Sequence, residues 1–298
     1  MLYFERVVVI GVGLIGGSLA MVLKEKEIAK HITGVGRGVK NLEVARNRGI
    51  IDDFTHDAKS AVDGADLIIL ATPVCNIARI LEDISQYLKR GAIVTDVGSV
   101  KKSILDDAES IIPKDVHFVA GHPIAGTENS GSDAAFSELF DGRICILTPT
   151  RRTDKDALEK IRMLWRQAGS DVIFMDADKH DMILAAISHL PHVVVYALVN
   201  TVSRIKDYEE DILDYSAGGF TDFTRIASSS PEMWRDIFIL NRKAILNMIG
   251  RFQDGLEQLK RLIESNDAVG LFQELNKAKT VRDSLRKARK KKKNELKR

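Results

Sequence analysis

A doubly wound α/β domain over residues 1–176, followed by an all-helical domain over 177–298, is the architecture this sequence predicts. Three observations predict it. Short β-branched runs alternate with helical patterns through the first half, several of those runs are apolar on both faces, and strand patterns stop after Asp176.

The expected strands are Arg6–Ile10, His31–Val35, Ala65–Ala71, Ala92–Asp96, His117–Ala120, Arg143–Leu147 and Asp171–Met175. A run such as Val7-Val8-Val9-Ile10 offers no polar face to water, so helices must cover both sides of its sheet. Those helices are expected at Gly17–Lys26, Asn41–Arg48, Ile77–Tyr87, Lys101–Ser110 and Asp154–Ala168. Beyond the boundary, Lys179–Ile205, Glu209–Tyr215, Pro231–Asn266 and Ala268–Lys292 read as helices. Ser230-Pro231-Glu232 is a start signal: a capping hydroxyl, a proline in the first turn and an acid at the positive helix end. Met182–Val199 is apolar almost all round, yet Ser188, His189, Pro191 and His192 interrupt it, so it reads as an enclosed helix and not a membrane span. A helical domain of about 120 residues rarely wraps one helix completely. A second copy of the chain is therefore expected to cover it, making a homodimer.

Composition narrows the function classes. Of 298 residues, 45% are apolar and 29% charged, an ordinary globular mixture. Eleven of the 44 basic residues fall between Lys279 and Arg298, which leaves residues 1–278 with 33 basic against 40 acidic groups. That balance argues against a nucleic-acid binder, and the basic tail reads as a solvated helix end. Cys75 and Cys145 make neither a disulfide scaffold nor a metal site; with no targeting pattern ahead of the first strand, a cytoplasmic location is expected, with no membrane partner and no metal.

Gly11-Val12-Gly13-Leu14-Ile15-Gly16 links the first strand to the first helix. Gly11 permits the tight turn, Gly13 lets backbone approach a pyrophosphate, Gly16 lets helix pack on strand, and Leu14 and Ile15 open the helix whose N-terminus favours phosphate. In this strand–turn–helix context the motif predicts a Rossmann dinucleotide site. The second strand ends Gly34-Val35-Gly36-Arg37-Gly38, without the acid that would bind the ribose hydroxyls of NAD. Arg37 can face a 2′-phosphate, which tilts the reading toward NADP with NAD open. Thr72-Pro73 and Asp96-Val97-Gly98-Ser99 end two further strands at the ligand-binding edge of the sheet, where Thr72 and Pro73 would flank the ribose and nicotinamide. Gly121–Glu128 (GHPIAGTE) puts His122 at the mouth of the same cleft. Two histidines in a buried helix, His189 and His192, each require a polar partner. Asp222 and Arg225 share one face if their stretch is helical.

Taken in order, Gly11–Gly16, Gly98-Ser99-Val100-Lys101, Gly121–Glu128, Ser188–His192 and Asp222-Phe223-Thr224-Arg225 resemble the prephenate dehydrogenases and their arogenate and cyclohexadienyl relatives over nearly the whole chain. The resemblance implies a nucleotide-binding domain followed by a helical dimerisation domain, and oxidative decarboxylation of prephenate to 4-hydroxyphenylpyruvate in tyrosine biosynthesis. It implies His122 as the group that polarises the ring hydroxyl and Ser99 as its partner on that hydroxyl. Arg225 would hold a substrate carboxylate, His192 would line the side-chain end, and Thr127 falls with the substrate-binding set. Glu128 and Asp222 would support or gate the pocket, and Trp234 is either a pocket wall or a core aromatic. Many members carry an acid at the place of Arg37, so cofactor choice stays open. Arogenate oxidation to tyrosine is the close alternative. A β-hydroxyacid dehydrogenase would call for a catalytic lysine in the helical segment, and a non-catalytic NADP-binding sensor would have no use for His122.

Overall fold

A computed structural model describes residues 2–127, 129–205 and 212–295. Glu128 lies outside them, as do the first residues of the expected Glu209–Tyr215 helix. Six parallel strands form the main sheet: β1 (Phe4–Ile10), β2 (Ala29–Val35), β3 (Asp53–Thr55), β4 (Leu67–Leu70), β5 (Ile93–Asp96) and β6 (His117–Val119), in the order β3-β2-β1-β4-β5-β6. The order reverses at β1, so β1 and β4 flank the crevice in which such sheets bind nucleotides.

The two-faced apolar runs divide as the pleat requires. Val7 and Val9 of β1, with Leu67 and Ile69 of β4, enter one core cluster with Leu19 and Leu23 of α1 (Leu14–Glu25) and Ile161, Leu164 and Trp165 of the helix Lys155–Gln167. Val8, Ile10, Ile68 and Leu70 face the other way. They join Val62 of α3 (Ala58–Val62), Leu81 of α4 (Ile77–Ile84) and Ile104 of α5 (Lys102–Ile111). Each such fully buried aliphatic side chain stabilises the fold by about 1.5–3 kcal/mol. The helix α2 (Val39–Asn47) follows β2.

Three features depart from the expected strands. Asp53–Thr55 is an edge strand too short to show a pattern. The run His117–Ala120 ends at Val119, and Gly121–Pro123 opens a second sheet as β7. The expected strands near residues 144 and 171, β8 (Ile144–Leu147) and β9 (Asp171–Phe174), join β7 instead of extending the main sheet. In this sheet β7 pairs antiparallel with β8, and β9 pairs parallel with β8. The helix Lys155–Gln167, α6, connects the last two.

Among the described residues, helices alone follow: α7 (Ala177–Leu184), α8 (Leu190–Ser203), α9 (Gly218–Thr224), α10 (Pro231–Leu240), α11 (Arg242–Glu264) and α12 (Ala268–Glu295). The expected helix from Lys179 to Ile205 is α7 and α8 joined through a π-turn at Ala185–His189. Pro191 explains the wide turn: it has no N–H for the Ile187 carbonyl and its ring presses on that carbonyl, a conflict that wider winding relieves. Asn241 breaks the expected Pro231–Asn266 helix in two, and Ser230 caps α10 by accepting from the Met233 N–H at 3.3 Å.

The chain divides into two compact units, Met1–Ile245 and Leu246–Arg298. In the first, Trp234 and Ile237 of α10 belong to the core cluster of α3, α4 and α5. In the second, Asn266 (φ 51°) closes α11 and Asp267 caps α12 through the Gly270 N–H at 2.9 Å.

Candidate active site

The glycine turn is built by close approach. Gly11 has φ +100°, and a Cβ there would lie 2.5 Å from the Ala71 carbonyl oxygen. A Cβ on Gly16 would lie 2.2 Å from the Gly11 carbonyl oxygen, so α1 can seat on β1 only with glycine there. Gly13 differs: a Cβ there would meet nothing within 4 Å. Its small size serves no contact within the protein and leaves open the space in which the helix N-terminus would receive a pyrophosphate. Leu14 is buried beneath the turn and Ile15 is half-buried. At the end of β4, the Thr72 hydroxyl oxygen is buried and has no partner among the described residues. Pro73 beside it is exposed. An open cradle over one strand and an unsatisfied hydroxyl over the next fit a dinucleotide lying across the crevice.

Arg37 is exposed, two residues past β2, at the adenosine end of that crevice. Asn41 of α2 donates to the Val12 carbonyl at 2.6 Å and accepts from the Ser132 N–H at 2.8 Å. Arg48 donates to the carbonyls of Ser132, Asp133 and Ala135, the latter two at 2.9 Å. The loop after β7 is thereby tied to the glycine turn.

The chemical end is organised by a buried ion pair. Lys101 and Asp96 have no exposed side-chain surface; the ammonium donates to Asp96 and to the Gly121 carbonyl at 2.7 Å. Asp96 also accepts from the N–H groups of Gly98 (2.8 Å) and Gly121 (3.2 Å). So satisfied, the pair bolts the end of β5 to the start of β7 and fixes His122 beside it. Ser99 sits half-buried in the bend after β5, in the loop the same pair holds.

His122 is 8% exposed. Burial pushes its imidazole well below the ordinary histidine range, reinforced by His180, Lys101 and His189. Its Nδ1 is 2.8 Å from Nε2 of His180, whose Nδ1 is 2.8 Å from Asp181. Burial lowers His180 too, with Asp181 opposing. Asn241 donates to the Asp181 carbonyl at 2.8 Å and to Nδ1 of His189 at 3.1 Å. Burial lowers His189 to about 4. His189 meets Trp234 edge-on, and His192 stacks on Trp234 with centroids 3.5 Å apart. His192 donates from Nδ1 to the Ser188 carbonyl at 2.9 Å. The structure thus joins His122, His192 and Trp234, from three distant parts of the chain, into one continuous cluster. Trp234 is buried, and its indole N–H has no partner among the described residues.

Arg225 opens a short turn, Arg225–Ser228, that packs with α9 against α8, the helix carrying His192. Arg225, Asp222 on α9, and Thr127 in the loop after β7 are all exposed. Sequence reasoning leaves out His180, Asp181 and Asn241, and values Asp96 and Lys101 only as parts of motifs. The one signal for the first two was a His-Asp pair opening a helix, which has no special meaning until β7 is brought against it.

A glycine turn open to a pyrophosphate at the switch point of a doubly wound sheet, with a buried imidazole at the carboxyl edge of that crevice, defines the class as a nicotinamide-dinucleotide oxidoreductase. Comparison with known proteins narrows the class. The family model for the prephenate dehydrogenase nucleotide-binding domain matches residues 19–174, and that for the prephenate dehydrogenase dimerization domain matches residues 176–277. The chain belongs to the prephenate dehydrogenase family. Prephenate dehydrogenase of Bacillus subtilis is 36% identical over 282 residues, 94% of this chain and 76% of that protein. Cyclohexadienyl dehydrogenase of Zymomonas mobilis is 36% identical over 96% of this chain and 98% of its own length. The crystal structure of prephenate dehydrogenase from A. aeolicus, in complex with hydroxyphenyl propionate and NAD+, superposes with a TM-score of 0.89 at 38% identity, covering 94% of this chain and 98% of that one.

Proposed function

We propose that this protein converts prephenate to 4-hydroxyphenylpyruvate and carbon dioxide with reduction of NAD(P)+, the prephenate oxidation for which the Bacillus subtilis relative is named. The observation that carries the reading is His122, a buried neutral imidazole at the carboxyl edge of the sheet beside the nucleotide crevice. NAD(P)+ would be held by Gly11, Gly13, Leu14, Ile15 and Gly16 together with Thr72 and Pro73, and would supply the hydride acceptor. His122 takes the ring-hydroxyl proton as the carbon beneath gives up hydride. Ser99 hydrogen-bonds the same hydroxyl and orients it toward the imidazole. Arg225 holds a carboxylate, for which a guanidinium fork is matched. His192, with Trp234 stacked behind it, closes the side-chain end, where the unpartnered indole N–H can meet a substrate oxygen. Thr127 and Asp222 border the entrance, and Glu128 serves with them as a gating group.

Oxidation of arogenate is the second reading, favoured by the Zymomonas relative's name, cyclohexadienyl dehydrogenase. Arg37 is the side chain that would choose a 2′-phosphate, and hence NADP over NAD. Residues 177–298 serve as the helical domain, through which two copies pair; the uncovered face of α8 supports this, and the enzyme works in the cytoplasm. The test is an absorbance assay of prephenate and arogenate, each with NAD+ and NADP+. Reduction dependent on prephenate is the expected result, and no reduction in any of the four combinations overturns the assignment.

A further inference from the structure

Three buried side chains stand in line behind the proposed reaction: His122 on β7, then His180 and Asp181 on α7. The far end of the line fixes everything nearer the substrate. Asp181 accepts the Lys101 N–H at 2.8 Å and the Lys102 N–H at 3.0 Å, the amides that open α5. Those are orphan donors at the positive end of a helix, where an anion is stabilised. A carboxylate held in this way only accepts, so His180 Nδ1, 2.8 Å away, carries a hydrogen and donates it. A neutral imidazole has a single N–H. His180 Nε2 is therefore a lone pair, and His122 Nδ1, 2.8 Å from it, must be the donor. The hydrogen of neutral His122 is thereby placed on Nδ1, and Nε2 keeps the lone pair.

We infer that His180 is a positioning residue for proton transfer at His122: anchored by Asp181, it locks His122 in the tautomer whose basic nitrogen is Nε2, and it receives a hydrogen bond that strengthens when His122 becomes protonated. This rests on the reading of His122 as the proton acceptor. The atoms balance simply. The substrate O–H bond breaks and an Nε2–H bond forms, the oxygen keeping the electron pair. The product is a phenol, so the borrowed proton returns to that oxygen and none is released overall. Between the two transfers the imidazolium needs a partner on its other side, and His180 Nε2 is that partner. The other groups facing the line are compensated. The Lys101 ammonium is paired with Asp96, and His189 receives the Asn241 amide on its own Nδ1.

The test uses the full chain in two measurements. In the first, nitrogen-15 spectra of histidine-labelled protein, with His122 assigned by its loss in His122→Asn, report which ring nitrogen bears hydrogen. A protonated Nδ1 and bare Nε2 at neutral pH are expected; hydrogen on Nε2 overturns the inference whatever the activity. In the second, His180→Leu should lower kcat by roughly 10²–10⁴-fold while the KM for substrate and the cofactor Kd stay within about threefold. His180→Gln can still donate to Asp181 and accept from His122, and should recover to within about tenfold of wild type. Unchanged kcat in the leucine variant, or a folded glutamine variant no better than it, overturns the inference. Should the wild-type protein turn over neither prephenate nor arogenate, the functional reading fails by itself, and the spectra alone decide the tautomer.

Discussion

His122 reaches its position through a neighbour: the Lys101–Asp96 pair grips Gly121, one residue before it. His122→Asn keeps a polar amide near the place of Nδ1 but removes the base, so kcat should fall by about two to four orders of magnitude with cofactor affinity nearly unchanged. An unchanged kcat in steady-state assay would remove His122 from the reaction. The pH profile follows in sign. The base must be neutral, protonation on acidification removes it, and burial, His180, Lys101 and His189 all depress the pH at which this happens. The acid limb of kcat/KM should therefore lie well below pH 6.5, with activity retained where an ordinary histidine is mostly charged. At this scale the sequence was informative where chemistry is contiguous, as in Gly121–Glu128, and silent where it is assembled. His180 is 58 residues from His122, and nothing local marks it as the acceptor. Lys101 and Asp96 would be assigned to the surface from residue type alone, because buried charge is exceptional and visible only with its partner.

Elements show the same division between strong local patterns and tertiary context. The apolar runs of β1 and β4 carry their own evidence of a sheet covered on both sides. Three-residue β3 and β7 carry almost none, and Gly121 and Pro123 read as loop residues until β8 supplies a pairing partner. The turn between β1 and α1 allows a clean separation of folding from binding. Gly16→Ala must push its Cβ into the Gly11 carbonyl, so it should lower the melting temperature by several degrees, for a cost of about 1–3 kcal/mol. Gly13→Ala meets nothing, and its φ of −104° suits alanine, so melting should move by less than about 2 °C. Cofactor Kd should nevertheless rise by about tenfold or more, measured by fluorescence or calorimetric titration. Wild-type cofactor affinity in Gly13→Ala would show that the pyrophosphate lies elsewhere.

At the scale of the molecule, Ala177–Ser203 is apolar and long enough to cross a membrane, and only 22% of its most apolar window is buried in the single chain. Met182 is 43% exposed and Ile187 71%. Such a stripe on a family whose second domain is described as a dimerization domain should be covered by a second copy. Sedimentation at micromolar concentration should give twice 33.1 kDa, and Ile187→Asp should weaken the association; a monomer under the same conditions would refute pairing. Composition alone showed this helix to need a cover, but not which surface supplies it, because apolar character is non-directional. Finally, the π-turn makes this helix a splice of two segments in different rotational phase. The upstream phase is set where Asp181 meets the amides of α5, and the downstream phase where His192 lies flat on Trp234. An ordinary helix advances about 100° per residue. Winding the same residues as ordinary helix would swing His192 off its ring by roughly that angle while leaving Asp181 seated, so the wide turn absorbs one residue's rotation and keeps both halves aimed into a single pocket.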